Sequence, residues 1–123
     1  MTNHSKFCDE WLAAWTGNRP DYLLTFYAKD AFYRDPARPQ GLKGHDELLP
    51  YFKKLLAVNP DWTWKSLEIF PTAGGFTLKW EAKIPTKNGM ITETGLDIVE
   101  MKNGNIFRNE VYFDTRQLST AAS

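Results

Sequence analysis

Hydrophobic positions recur every three or four residues in the first half of the chain and every second residue in the second half. Phe7, Trp11 and Trp15 recur at spacing four, a pattern typical of one face of an amphipathic helix. This predicts a first helix over residues 5 to 16, which ends at Gly17 because glycine readily terminates helices.

Two more helices are indicated before residue 60. Pro20 suits the first position of a short second helix, because the missing N–H costs nothing there. The third helix is predicted over residues 44 to 59 and contains Pro50, which we expect to bend its first turns. Between these helices, residues 31 to 35 form a predicted short strand, and the proline- and glycine-containing segment that follows is interpreted as a loop.

From residue 61 onward polar and apolar residues alternate, which is the period of a strand. The predicted strands lie near residues 62–70, 76–84, 91–101 and 105–114, with turns at Gly74-Gly75, Asn88-Gly89 and Asn103-Gly104. Three N-terminal helices followed by an antiparallel meander predict an α+β fold, in which the helices cover the concave face of a long, curved sheet. A cavity between the helices and the concave face of the sheet is a natural consequence.

Asp97 stands among apolar residues of the last hairpin, where a charge is costly unless it is paired, protonated or functional. A two-residue turn at Asn103-Gly104 would place Asp97 opposite Glu110, on one face with Arg108 and Tyr112. A three-residue turn would place it opposite Asn109, on one face with Val99, Phe107, Val111 and Phe113. We favour the second register, since it gathers the apolar residues into one cavity lining and leaves Arg108 and Glu110 on the other face.

Composition limits the possible functions. The 123 residues predict a single domain over 1–123, and a formal net charge of zero without basic clusters argues against nucleic acid and membrane partners. Cys8 is the sole cysteine, which excludes an internal disulfide and favours a small packed side chain. The polar start of the chain predicts a cytoplasmic protein. With no phosphate loop, dinucleotide motif or metal-ligand pattern, we expect neither a cofactor nor a metal.

Three segments, FYAKDAFYRDP, GLKGHDELLPYF and KNGNIFRNEVYFD, resemble the SnoaL-like group of the nuclear transport factor 2-like superfamily. The resemblance covers nearly the whole chain. It implies a cone-shaped α+β barrel, in which three N-terminal helices pack on a strongly curved antiparallel sheet. It also implies a pocket between the helices and the sheet, and commonly a dimer. Members of the superfamily include isomerases, cyclases, hydrolases, dehydratases and binding proteins, so that the resemblance indicates a fold more strongly than an activity.

Asp35 and Asp97 match the two aspartates of ketosteroid isomerases within that superfamily. By resemblance, Asp35 would be the general base and Asp97 a protonated donor to the developing oxyanion. Trp11 stands where those enzymes have their oxyanion-hole tyrosine. The limonene-type epoxide hydrolases are similar at the C-terminus, but Val111 replaces their catalytic aspartate, which argues against that chemistry.

The leading hypothesis is therefore cofactor-free isomerisation or cyclisation of a hydrophobic carbonyl compound, with Asp35 and Asp97 as catalytic residues. Several further residues are predicted to contact the ligand: Trp11, Tyr33, Trp80, Val99, Asn109, Val111 and Phe113. Glu93 is interpreted as a solvated strand residue. Two alternatives are a non-catalytic binder of a hydrophobic small molecule and a purely structural module whose interior is filled by its own aromatic residues.

The convex face of the sheet is expected to carry Leu96, Ile98 and Ile106. Apolar residues on an otherwise uncovered sheet face favour a homodimer through the sheet.

Overall fold

The computed structural model describes residues 4 to 118 and consists of N-terminal helices packed on one face of a curved sheet. The helices are α1 (His4–Ala13), α2 (Pro20–Leu24) and α3 (His45–Val58). The strands are β1 (Tyr27–Asp35), β2 (Arg38–Lys43), β3 (Thr63–Pro71), β4 (Gly75–Thr86), β5 (Gly89–Lys102) and β6 (Asn105–Tyr112). No helix within residues 4–118 is long and apolar enough to cross a membrane.

The strands form one six-stranded sheet in the order β2-β1-β6-β5-β4-β3, which leaves β2 and β3 as edges and does not close into a barrel. Helix α1 packs on β3, while α3 packs on β1 and β2. The predicted α+β fold is confirmed. Its first strand adds a feature that the local pattern does not indicate: β1 runs parallel to β6, with Tyr33 beside Asn109.

The segment interpreted as a loop after residue 35 is instead strand β2, which pairs antiparallel with β1. Proline and glycine suggested a loop, but proline is tolerated on an edge strand because no partner there needs its missing N–H. Gly41 also lies against the Phe32 ring, where an added Cβ would come within 2.4 Å of Cε1. Strand β1 begins four residues earlier than expected, at Tyr27.

Neither predicted register of the last hairpin is correct. The turn has two residues, since Lys102 pairs with Asn105 and both Asn103 and Gly104 have positive φ angles of 54° and 83°. A bulge at Phe107 then shifts the register by one residue, so that Asp97 lies opposite Val111.

Because of the bulge, only some residues of the last hairpin lie on the sheet face that was predicted for them. Val99, Asn109 and Val111 share the face of Asp97, as the favoured register predicted, and Arg108 and Glu110 lie on the other face. Phe107 does not join the cavity lining. Ile106, expected on the convex face, is fully buried in the core.

The core lies between the helices and the concave face of the sheet. The inward residues of β4 are all buried, as their alternation predicts: Phe76, Leu78, Trp80, Ala82 and Ile84. The convex face carries two rows of side chains across the sheet. One row contains Phe70, Thr77, Ile98 and Glu110, and the other contains Glu68, Lys79, Leu96 and Tyr112.

Candidate functional site

A cavity of about 240 Å³ lies between the helices and the concave sheet face. Its walls are mostly apolar and aromatic, and three of its lining residues are carboxylic acids. The lining residues are Leu12, Trp15, Tyr33, Asp35, Pro36, Ala37, Tyr51, Leu55, Leu56, Asn59, Trp62, Trp64, Trp80, Ala82, Ile84, Glu93, Asp97, Val111, Phe113, Thr115 and Leu118. An open cavity argues against an interior filled by its own aromatic residues.

Asp35 occupies the end of β1 and accepts four hydrogen bonds. The backbone N–H groups of Ala37 and Arg38 donate to Oδ1 at 2.9 and 3.0 Å. The hydroxyls of Tyr33 and Tyr51 both donate to Oδ2 at 2.6 Å. A carboxylate has about four lone-pair positions, so these donors occupy them all and fix the orientation of Asp35. The aspartate thus stabilises the turn into β2 and also faces the cavity.

Both tyrosine hydroxyls remain protonated in this arrangement. Burial and the charge of Asp35 raise the pKa of Tyr33 well above its ordinary value. Burial, together with the hydrogen bond to Asp35, likewise raises the pKa of Tyr51. These hydroxyls are therefore neutral hydrogen-bond donors at any physiological pH.

Asp97 faces the same cavity from β5 and is 5% exposed. The indole Nε1 of Trp80 donates to Oδ1 at 2.7 Å, and the amide Nδ2 of Asn109 donates to Oδ2 at 3.0 Å. Burial raises the pKa of Asp97 from 3.8 to about 6, although the bonds from Asn109 and Trp80 oppose this shift. The charge of Asp35 adds to the rise. Desolvation dominates because two neutral donors replace only part of the hydration of a carboxylate.

A buried relay supports Asp97 from behind. The indole of Trp11 donates to the Tyr27 hydroxyl at 3.3 Å, and that hydroxyl donates to Asn109 Oδ1 at 2.8 Å. This chain fixes the Asn109 amide so that its Nδ2 points to Asp97. Every member is satisfied, which makes the relay rigid.

The structure places six of the nine predicted site residues on the cavity wall: Tyr33, Asp35, Trp80, Asp97, Val111 and Phe113. Trp11, Val99 and Asn109 do not line it, and each is at most 1% exposed. Trp11 and Asn109 act through the relay, and Val99 packs in the core. The indole of Trp11 donates to Tyr27, so it does not replace the missing oxyanion tyrosine.

Glu93, interpreted as a solvated residue, is only 8% exposed and lines the cavity. It lies on β5 directly opposite Ala82, which in turn lies opposite Trp64 of β3. The Gln117 side chain donates to Glu93 Oε2 at 2.9 Å. The segment after β6, which supplies this glutamine, covers the carboxylate in a way that strand periodicity cannot predict.

Several wall residues carried no distinct sequence signal. Tyr51 faces Asp35 from α3, and its position was hidden within an ordinary helical pattern. Trp15, Trp62 and Trp64 form an aromatic wall, with the Trp64 ring centroid 6.1 Å from that of Trp15 and 6.0 Å from that of Trp62. The high aromatic content of 15% was the one available hint.

Two other kinds of site can be assessed from the described residues. Within 4–118, no group of three or more histidine, cysteine, aspartate and glutamate side chains is arranged to hold a metal ion. Burial, with smaller contributions from Asp9 and Asp97, raises the pKa of Cys8 to about 12, which makes its thiol a poor nucleophile.

A curved sheet covered by helices, with carboxylates in an apolar cavity between them, defines a cone-shaped α+β pocket protein. The sequence profile described as the SnoaL-like domain matches residues 8–109, and the chain belongs to this family. The resemblance inferred from sequence is thereby confirmed. No protein with a curated description matches the sequence.

Solved structures share the fold at low sequence identity. A Catenulispora acidiphila DSM 44928 protein with a ketosteroid isomerase-like fold, in complex with trimethylamine, is 18% identical with a TM-score of 0.81, over 95% of this chain and 92% of that chain. A Shewanella putrefaciens CN-32 protein, whose name places it with the SnoaL-like polyketide cyclases, is 10% identical with a TM-score of 0.81, over 99% of this chain and 86% of that chain. TerC, co-crystallised with polyporic acid, is 14% identical with a TM-score of 0.77, over 94% of this chain and 95% of that chain.

Proposed function

We propose that the cavity binds a hydrophobic carbonyl compound and catalyses cofactor-free proton transfer on it, such as isomerisation or cyclisation through an enolate. The observation that carries this proposal is Asp97, a cavity-lining carboxyl that is 5% exposed and whose pKa is raised to about 6. A general base works best when its pKa lies near the working pH. Relatives of the same fold that bind trimethylamine or polyporic acid support the use of such a cavity for small molecules.

The hydrogen bonds favour Asp97, rather than Asp35, as the residue that removes the proton. Asp35 already accepts four hydrogen bonds, so that a substrate proton would have to displace one of these donors. Asp97 lines the cavity and accepts two bonds from residues 4–118, so that about two of its lone-pair positions are unused by these residues. With a pKa of about 6, it is mainly ionised at neutral pH, which suits a base better than the neutral donor expected from the resemblance.

In this proposal Asp35 is a positioning residue, because it holds the hydroxyls of Tyr33 and Tyr51 at the cavity. The Tyr51 hydroxyl can rotate from Asp35 to a substrate oxygen, since hydroxyl hydrogens turn freely and Asp35 would still accept three bonds. A tyrosine that stays protonated would then stabilise the developing enolate oxygen. The proton moves from the substrate α-carbon to Asp97, and Asp97 returns it at the new position.

The test is exchange of α-protons for deuterium from D₂O, followed by NMR for a panel of enolisable hydrophobic ketones. This readout detects proton removal without knowledge of the final product. We expect catalysed exchange that falls roughly 100-fold or more in Asp97→Asn and remains in Asp30→Asn, an exposed aspartate on β1. Exchange that is unchanged in Asp97→Asn would refute the assignment of Asp97.

A non-catalytic binder is the second candidate, and the saturation of Asp35 favours it. A carboxylate whose lone pairs all accept hydrogen bonds from its own protein stabilises the fold, and these bonds do not require a catalytic role. In that case ketones would bind and perturb tryptophan fluorescence without any exchange, and Asp97→Asn would preserve or tighten binding because it removes a buried charge.

We also propose that two copies associate through the convex sheet face. Leu96 and Tyr112 lie opposite each other there and are 42% and 43% exposed, and Phe70 is 44% exposed. Beside them Arg108 pairs with Glu100 and Glu110, at 3.0 and 2.6 Å. A face with apolar residues next to charges of both signs can contact its own copy without repulsion.

A further inference from the structure

The charges of the cavity wall all have one sign. Asp35, Glu93 and Asp97 line it, whereas no lysine, arginine or histidine among residues 4–118 does. The guanidinium of Arg38 lies over the Tyr51 ring, 4.9 Å from the ring centroid, and does not line the cavity. The site is therefore negative, and a low-dielectric wall strengthens its effect on a bound charge.

Two of the three carboxylates are already engaged. Asp35 accepts four hydrogen bonds, and Asp97 is held by Trp80 and Asn109. Glu93 differs from both: within the described chain, Gln117 alone donates to it, and only to Oε2. Its Oε1 accepts no hydrogen bond from residues 4–118 and is accessible, since no fully buried side-chain oxygen among these residues lacks a partner. The residue as a whole is 8% exposed and lines the cavity. An accessible carboxylate oxygen without a donor, on a largely buried side chain at the cavity wall, is a position where a ligand cation would be stabilised.

The surroundings of Glu93 also suit a cation. Glu93 lies in one row with Ala82 and Trp64, and the small Ala82 side chain leaves space between the carboxylate and the indole. Trp15, Trp62 and Trp64 continue this wall. Tryptophan faces attract cations through the ring quadrupole, and desolvated ammonium groups gain most from them.

We propose that the ligand of this cavity carries a positively charged amine, with Glu93 as its counter-ion and the tryptophan wall around its alkyl groups. The proposal deepens the proposed function, on which it rests: the amine would anchor one end of a compact hydrophobic compound and present its carbonyl group to Asp97. A cavity of about 240 Å³ limits this compound to a small molecule. A tertiary amine or quaternary ammonium fits better than a primary amine. A primary ammonium has three N–H donors and needs three acceptors, whereas a tertiary ammonium needs one and a quaternary ammonium none.

The test compares three probes of nearly the same shape by tryptophan fluorescence titration of the intact chain. They are choline, the neutral dimethylbutanol in which carbon replaces the nitrogen, and the anion dimethylbutanoate. We expect choline to bind roughly tenfold or more tightly than dimethylbutanol, and dimethylbutanoate to bind most weakly. This comparison needs no variant and does not depend on catalysis.

Glu93→Gln tests the counter-ion while preserving the side-chain shape and a contact with Gln117. We expect choline affinity to fall roughly tenfold and dimethylbutanol affinity to stay within about twofold. The matched control is Glu10→Gln, which removes the same charge from an exposed position on α1.

The outcomes separate this inference from the proposed function. Equal binding of choline and dimethylbutanol would overturn the amine inference and leave a neutral hydrophobic site intact. A choline preference that survives in Glu93→Gln would overturn the role of Glu93. Failure of all three probes and of the ketone panel to bind would overturn both proposals.

Discussion

The indole of Trp80 lies against the backbone of Gly95, its direct partner on the neighbouring strand. A Cβ added at Gly95 would come within 2.3 Å of Cζ2 and 2.5 Å of Cη2 of this indole. From this position Nε1 of Trp80 reaches Asp97 at 2.7 Å. The absence of a side chain at residue 95 is thus a condition for the hydrogen bond that holds the proposed base.

Gly95→Ala should destabilise the protein by about 1–3 kcal/mol, because a methyl group would overpack a wall that has no free space on that side. It should also displace Trp80 and weaken its bond to Asp97. Urea unfolding would measure the stability change, and the tryptophan emission spectrum would report the displacement.

Gly74→Ala is the control for this substitution. Gly74 is exposed, has no positive φ angle, and its added Cβ would meet only Glu100 Oε2 at an ordinary 3.7 Å. If both variants unfold at the same urea concentration, the packing of Trp80 on Gly95 does not constrain the wall.

The raised pKa of Asp97 predicts a pH dependence of stability. The folded pKa of about 6 lies above the ordinary value of 3.8, so that the folded state binds the proton more tightly than the unfolded state. The stabilisation from this proton is fully present below pH 3.8 and is lost as the pH rises through about 6. The free energy of unfolding falls by on the order of 3 kcal/mol across this range.

Asp97→Asn should remove this contribution to the slope of the free energy of unfolding against pH. Urea unfolding of both proteins between about pH 4 and pH 7 would measure it. A constant stability offset from altered hydrogen bonds does not affect the slope. A variant with the wild-type slope would show that Asp97 titrates normally, and Asp30→Asn controls for the loss of a carboxyl.

The Tyr51–Asp35 contact should contribute measurably to stability. Tyr51→Phe removes one donor to Oδ2 and should cost about 1–2 kcal/mol, since bonds to a charged acceptor exceed neutral ones. In an Asp35→Asn background the same substitution should cost less, and a double-mutant cycle from urea unfolding gives the difference. Strict additivity would contradict an energetic coupling, and Tyr22→Phe on the exposed surface of α2 is the control.

The proposed dimer predicts that size-exclusion chromatography with light scattering finds twice the chain mass of 14.2 kDa. Leu96→Glu should shift the protein to monomer, because it places an uncompensated charge in the apolar part of the interface. Val58→Glu, at a position 74% exposed on α3, should leave the mass unchanged. A wild-type protein of single-chain mass would exclude this interface.

Local sequence patterns determined the helices, the alternation of β4 and the turns between the long strands. Each depends on neighbours within a few residues: the period of four in Phe7, Trp11 and Trp15, or the left-handed preference of Asn103-Gly104. Strand alternation predicted the face on which Asp97 lies, whereas the family resemblance predicted that Asp35 and Asp97 share one cavity.

Tertiary structure alone decided the features that join distant segments. The parallel pairing of β1 with β6 and the edge position of β2 depend on contacts across the whole chain, which no local period encodes. The bulge at Phe107 moved every later residue of β6 by one position. The contacts of Tyr51 with Asp35 and of Gln117 with Glu93 arise because separate elements converge. Side-chain burial and hydrogen-bond partners set the chemistry of these acids, and both are properties of the packed fold.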